Sequence, residues 1–207
     1  MDILADALGP EATYKLLTGV VVPRPIAWVT TISKAGVVNL APFSAFTFVS
    51  NKPPMVGINV GRKAGQMKDT GRNIHDIGEF VVNIADETMI EPVHLSAIEY
   101  APEISEAELL GLELAPSTSI RVPRLLAAPI SLECRLHRVI AFGDTGSEFM
   151  VGEIIVYHIR DGLYEDGKID SAKLRPICRI GGPNYAKLGE IVRMKPISQT
   201  EKTLIDL

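Results

Sequence analysis

At 207 residues, 46% hydrophobic and 22% charged, the chain has the composition of an ordinary globular protein. It is long enough to bury a core without disulfide or metal staples. A net charge of −4, a pI near 5.6 and the lack of any Lys/Arg run argue against nucleic acid, whose binding needs clustered cations. No stretch approaches the ~20 apolar residues of a membrane span.

The start, Met1-Asp2-Ile3, lacks the basic lead of a secretory signal, so a cytoplasmic location is expected. The mean hydropathy of +0.19 points to more hidden apolar surface than a monomer needs, as at a subunit interface. Cys134 and Cys178 sit among Leu132, Ile177 and Ile180 and read as small core hydrophobes rather than a disulfide. His75, His94, His137 and His158 are scattered without metal-ligand spacing, so no metal site is expected.

In chain order, Val20-Val21-Val22 leads into Pro23-Arg24-Pro25, where two prolines force an edge or a bend. Ile26 to Ile32 reads as a strand, Lys34-Ala35-Gly36 as a turn, and Val37 to Leu40 as the return strand of a hairpin. Ala41-Pro42 is expected to interrupt that strand. Ser44 to Ser50 resumes it, with Phe46 and Phe48 on one face, and Asn51-Lys52-Pro53-Pro54 closes the run. Met55 to Val60 is apolar nearly throughout and reads as a strand buried on both faces.

Gly61 to Gln66 is a polar loop. Asp69 or Thr70 is the expected cap of a helix running to Ile77, with Gly78 as its stop. Glu79 to Ile84 returns to strand. Residues 87–114, acidic and rich in Ala and Leu, read as inserted helices. Ala128–Phe142 and Phe149–Ile159 read as long strands joined through Gly143 to Ser147. Residues 161–173 form a turn-rich loop, Tyr185 to Val192 a last short helix, and the tail after Lys195 a loosely held end. Without repeats or a low-complexity linker, residues 1–207 read as one domain. Many short strands with few helices favour a barrel over a doubly wound sheet.

No Gly-x-Gly-x-x-Gly, P-loop or Gly-x-Ser-x-Gly is present, so a standard dinucleotide site, a nucleotide triphosphate site and a serine hydrolase elbow lack an anchor. Small polar residues do gather on the first hairpin. Thr30 and Thr31 end one strand, and Asn39, Ala41, Pro42 and Ser44 lie on its partner. They could serve a polar heterocycle, but a routine polar strand edge explains them alone as well. Lys68-Asp69-Thr70-Gly71-Arg72-Asn73 joins cations to a helix start, with Arg62 and Lys63 just upstream. That suits a phosphate monoester, and equally a solvated helix cap.

Taken together, Pro23-Arg24-Pro25-Ile26-Ala27-Trp28-Val29-Thr30-Thr31, Asn39-Leu40-Ala41-Pro42-Phe43-Ser44, Pro53-Pro54, Lys68-Asp69-Thr70, Asn73-Ile74 and Gly78 to Asn83 resemble the flavin reductase-like, FMN-binding split-barrel family. The likeness covers about the first 85 residues in order, and returns more weakly at Arg179-Ile180-Gly181-Gly182 with Tyr185. The resemblance implies a mainly β fold with helical insertions, a Greek-key split β-barrel, and a homodimer holding FMN near its interface. It implies that Thr30, Thr31, Asn39, Ala41, Pro42 and Ser44 line the flavin ring and ribityl chain. Lys68 and Thr70, with Asp69 and Asn73, hold the phosphate end, Arg24 supports the pocket, and Tyr185 either reaches the flavin of the partner subunit or, as favoured here, packs the interface.

The implied activity is hydride transfer from NADH or NADPH to FMN and onward to an acceptor. The alternatives are an electron carrier without its own nicotinamide site, paired with a protein electron acceptor, and a flavoprotein oxygenase acting on a small organic substrate. No catalytic acid or base is assigned. His94 and His137 are the nearest candidates, and each reads better as a surface or core histidine.

Overall fold

The computed structural model describes residues 1–198; the last part of the predicted loose tail, 199–207, lies outside the described residues. Seven strands form one antiparallel sheet. They are β1 (Ala27–Ile32), β2 (Val38–Phe43), β3 (Phe46–Asn51), β4 (Pro54–Val60), β5 (Glu79–Ile84), β6 (Ile130–Phe142) and β7 (Ser147–Ile159). Their spatial order is β2-β1-β5-β6-β7-β4-β3.

The edge strands β2 and β3 are therefore consecutive in sequence and joined only through Ser44-Ala45. A link that short forces the sheet to roll until its edges meet. No ladder bonds β2 to β3, although Asn59 N donates to Ala45 O at 2.8 Å beside the seam. The result is a barrel split along one line. The connection from β4 carries the chain back to pair β5 beside β1, the expected Greek-key return.

Alternation along β1 divides the core in two. Ala27 and Val29 point inward with Val56, Ile58, Phe80 and Met150. Trp28 and Leu40 point outward, where Val93 and Ala107 of the inserted segment, with Leu125, cover them. The indole N–H of Trp28 donates to Ser96 Oγ at 2.8 Å, which satisfies the one polar atom of a ring that is 1% exposed.

Among the described residues five α-helices decorate the barrel: α1 (Pro10–Val20), α2 (Asp69–Ile77), α3 (Ile90–Leu95), α4 (Glu106–Leu109) and α5 (Ser171–Leu174). Helix α2 stops at Gly78 in the left-handed region (φ 73°), as predicted, but its cap is Lys68, with no side-chain hydrogen bond.

Two expectations are corrected. Strand β2 runs on through Pro42 to Phe43. The N–H of Leu40, of the same parity, bonds the Glu106 carboxylate rather than β1, so Pro42 sits where β1 asks for no donor. The predicted helix from Tyr185 to Val192 is instead a strand, Tyr185–Lys187, paired with Ile177–Arg179, which also pairs Arg24–Pro25. Gly182 (φ 61°) makes the intervening turn, and Arg179 lies over the Tyr185 ring opposite it, which favours the extended pair over a helix.

Gly152 on β7 has a packing role. A Cβ there would lie 2.4 Å from Phe80 Cζ, so the ring occupies the space a side chain would need. Gly152→Ala should destabilise the fold by about 2 kcal/mol through overpacking, read as a lower urea midpoint, and Phe80→Leu should restore part of the loss.

Candidate functional site

Helix α2 closes one end of the barrel against the β1–β2 hairpin. Asn39 Nδ2 donates to Thr70 Oγ1 at 2.9 Å, and Asn73 Nδ2 donates to Thr31 Oγ1 at 3.1 Å. All four side chains are buried. Each bond joins a strand residue to a helix residue more than thirty positions away, so the pair fixes where the start of α2 points.

It points into a cavity of about 790 Å3 between α1, the β2–β3 link, the α2 start and the inserted segment. Of the residues singled out in the sequence, Arg24, Asn39, Ala41, Pro42 and Ser44 line its strand side. Lys68, Asp69 and Thr70 line its helix side. Thr30, Thr31 and Asn73 do not line it. Adjacent strand residues face opposite sides: Thr31 turns to Asn73, whereas Thr30 donates to Pro123 O at 2.7 Å in the outer layer. Those three act on the cavity through the frame that holds it. Arg24 supports the wall, donating to Ser44 Oγ, Thr18 O, Val21 O and Ile180 O.

The cavity is charged unevenly. Arg72 pairs with Asp69, Arg62 with Glu148 at 3.2 Å and Lys63 with Glu99 at 2.9 Å. Lys68 makes no ion pair or hydrogen bond among the described residues, and it stands at the uncapped start of α2, whose first N–H groups lack a side-chain partner. Free donors and an unpaired cation at one helix start are groups that could hold an anion.

Two lining residues were missed in the sequence. Asn59 Oδ1 is shut from solvent and has no hydrogen-bond partner. Such an atom is costly to bury unless something donates to it. Glu106, 6% exposed, accepts the Leu40 N–H at 2.8 Å. Burial raises its pKa, against the lowering effect of that backbone bond, and the nearby Asp69 carboxylate raises it further. Neither residue carried a signal in sequence, because Asn59 reads as strand filler and Glu106 lies 66 positions from its partner.

With this geometry in view, the chain matches the family model described as flavin reductase like domain over residues 19–173. The chain belongs to the flavin reductase-like family. Component B of a nitrilotriacetate monooxygenase from Bacillus cereus has a similar structure, with 40% identity, 94% of this chain and 98% of that chain covered, and a TM-score of 0.91. A 2-nitrobenzoate 2-nitroreductase from Pseudomonas fluorescens is 36% identical, covering 98% and 99% of the two chains, with a TM-score of 0.87. A flavin reductase-type protein with a split barrel domain from Shewanella frigidimarina shares the fold at 20% identity, covering 95% and 100%, with a TM-score of 0.82. The family match takes in β1 to β7 with α2 and the inserted segment, so the cavity belongs almost wholly to the flavin reductase-like domain.

The raised pKa of Glu106 has a signed consequence. A carboxyl whose folded pKa lies above its unfolded value adds stability below that value, lost as pH rises through the folded pKa. Glu106→Gln keeps an acceptor for Leu40 N–H and removes the ionisation. The variant should melt higher than the parent at neutral pH, and the gap should close below the ordinary glutamate value of 4.5; a lower melting temperature at every pH would contradict this.

Proposed function

We propose that this chain is an FMN-dependent oxidoreductase that takes hydride from NADH or NADPH and passes the electrons to an acceptor in the cytoplasm. The observation that carries the reading is Lys68, unpaired at the open start of α2 and lining a cavity of about 790 Å3. A cavity of that size lies within the range of cofactor sites. Its lining also fits the parts of FMN. The dianionic tail would meet Lys68 and the first N–H groups of α2. Ala41 and Pro42 offer an apolar wall to the ring, with Asn39 and Ser44 as polar neighbours.

FMN, when bound, supplies hydride acceptance and release, which no side chain can provide. The protein's part is to hold and surround it. Asn39, Thr70, Thr31 and Asn73 keep the phosphate end and the strand wall in register, and Asp69 orients Arg72 beside Lys68. Thr30 ties β1 to the outer layer, and Arg24 braces Ser44. The inserted segment, through Ser96 to Tyr100 and Glu106, lines part of the cavity and leaves it partly open. That opening admits a small hydride donor and acceptor. The likeness to a monooxygenase component and to a nitroreductase supports redox work on small molecules.

A homodimer belongs to the same reading. Helix α1 buries none of its residues, and Leu17 and Val20 on it are 54% and 65% exposed; Phe48 on β3 is 81% exposed. Monomeric soluble proteins rarely leave such apolar surface uncovered. Sedimentation should give twice the 22.5 kDa chain mass, and Phe48→Glu should shift the protein toward a monomer.

The test of the central reading is optical. Purified protein loaded with FMN should bleach on anaerobic addition of NADH or NADPH; a yellow protein that stays yellow would support the carrier instead. Lys68→Glu should weaken FMN binding by at least about tenfold, ~1.4 kcal/mol, by quenching of flavin fluorescence. Unchanged affinity would remove Lys68 from the phosphate site.

A further inference from the structure

A second cavity, about 590 Å3, adjoins the first. Arg24, Pro42 and Ser44 line both and form a shared wall. In a chain of net charge −4, the second cavity is cationic: Lys15, Arg24 and Arg179 line it against Glu11 alone. Lys15 and Glu11 pair at 2.6 Å on the exposed face of α1 and cancel. Two arginines remain, and neither has a carboxylate partner among the described residues.

The two differ in what they have left to give. Arg24 spends its donors on four oxygens and contributes charge and bracing. Arg179 donates from Nε to Gly182 O at 2.9 Å and from Nη1 to the Tyr185 hydroxyl. Its Nη2 makes no hydrogen bond among the described residues. The guanidinium carbon lies 4.5 Å from the centre of the Tyr185 ring, so its plane is already set and an anion meeting Nη2 need not immobilise a free side chain. Tyr14, Tyr185, Ile26 and Pro42 supply apolar walls around this one free donor edge. A bare phosphate would leave those walls unused, and a neutral ring would leave the arginine unused.

We propose that this second cavity binds a small aromatic carboxylate, its charge on Arg179 and its ring against Tyr185 and Pro42. Binding itself does not depend on FMN. That the acid lies beside a flavin rests on the function proposed above, and would make such acids its substrates or competitors.

The experiment is calorimetric titration of benzoate into the FMN-loaded protein, with benzamide as the uncharged control. Benzoate should bind about tenfold tighter than benzamide, and Arg179→Gln should lose about that factor for benzoate. FMN affinity should be unchanged in Arg179→Gln, because Arg179 does not line the larger cavity. Equal binding of benzoate and benzamide, or no binding of either, would overturn the proposal, as would full affinity in the variant. Should Arg179→Gln misfold, Arg179→Lys takes its place, keeping the charge and losing the planar fork, with a smaller loss expected. Repeating the titration without FMN separates the two readings. A protein that binds FMN but not benzoate overturns this site alone; one that binds benzoate but not FMN overturns the function proposed above.

Discussion

Two amide-to-hydroxyl hydrogen bonds, Asn39 to Thr70 and Asn73 to Thr31, hold α2 on the β1–β2 hairpin. Both are buried, so their loss would strand polar groups away from water rather than return them to it. Thr70, at the second helical position, accepts the first of these bonds. The cap position falls to Lys68, which cannot accept a hydrogen bond from the helix, and the first turn stays open toward the cavity. One constraint thus closes the barrel end and sets that open turn against the cavity.

The edge of β2 shows the same economy. An edge strand with free N–H groups invites pairing with another chain. Here the outward N–H of Leu40 is taken by Glu106, and Pro42, two residues on, has none to offer. The inserted segment therefore does two things through one carboxylate: it blunts the edge and it walls the cavity. Burying that carboxylate is unfavourable, and the fold tolerates it because Trp28, Leu40, Val93 and Leu125 cover the same layer with apolar contact.

Where pattern was local, sequence sufficed. The β1–β2 hairpin, β4, β5, the long β6–β7 pair and the Gly78 stop were legible from alternation and turn residues. Pairing partners were not, because the roll of the sheet is set by the Ser44-Ala45 link acting on strands far apart in sequence. Helix α1 has no counterpart among the predicted elements, although Pro10 at its first position is a start signal. Its exposed apolar residues gave no stripe against a core. The segment after Tyr185 misled for the opposite reason: its composition suits a helix, and a cross-strand contact with Arg179 decides otherwise. In the site, residue types were legible and directions were not. Thr30 and Thr31 look equivalent in sequence, yet strand parity sends one to the outer layer and the other to α2.

Polar groups in this fold differ in how far their hydrogen-bonding capacity is met. Most deeply buried polar side chains are answered, Arg124 Nε being one that is not. Glu133, 0% exposed, takes the N–H groups of Thr118 and Ser119 and the His158 ring; despite the upward push of burial, these hold its pKa below the usual value. Asn83 likewise serves Trp28 O, Ser131 and Leu125 N. At the larger cavity, Lys68 and the first N–H groups of α2 lack side-chain partners among the described residues. A fold that satisfies Glu133 and Asn83 so fully has the means to satisfy these as well. That it leaves a cation and free N–H groups together at one helix start is the physical reason for proposing an anion there.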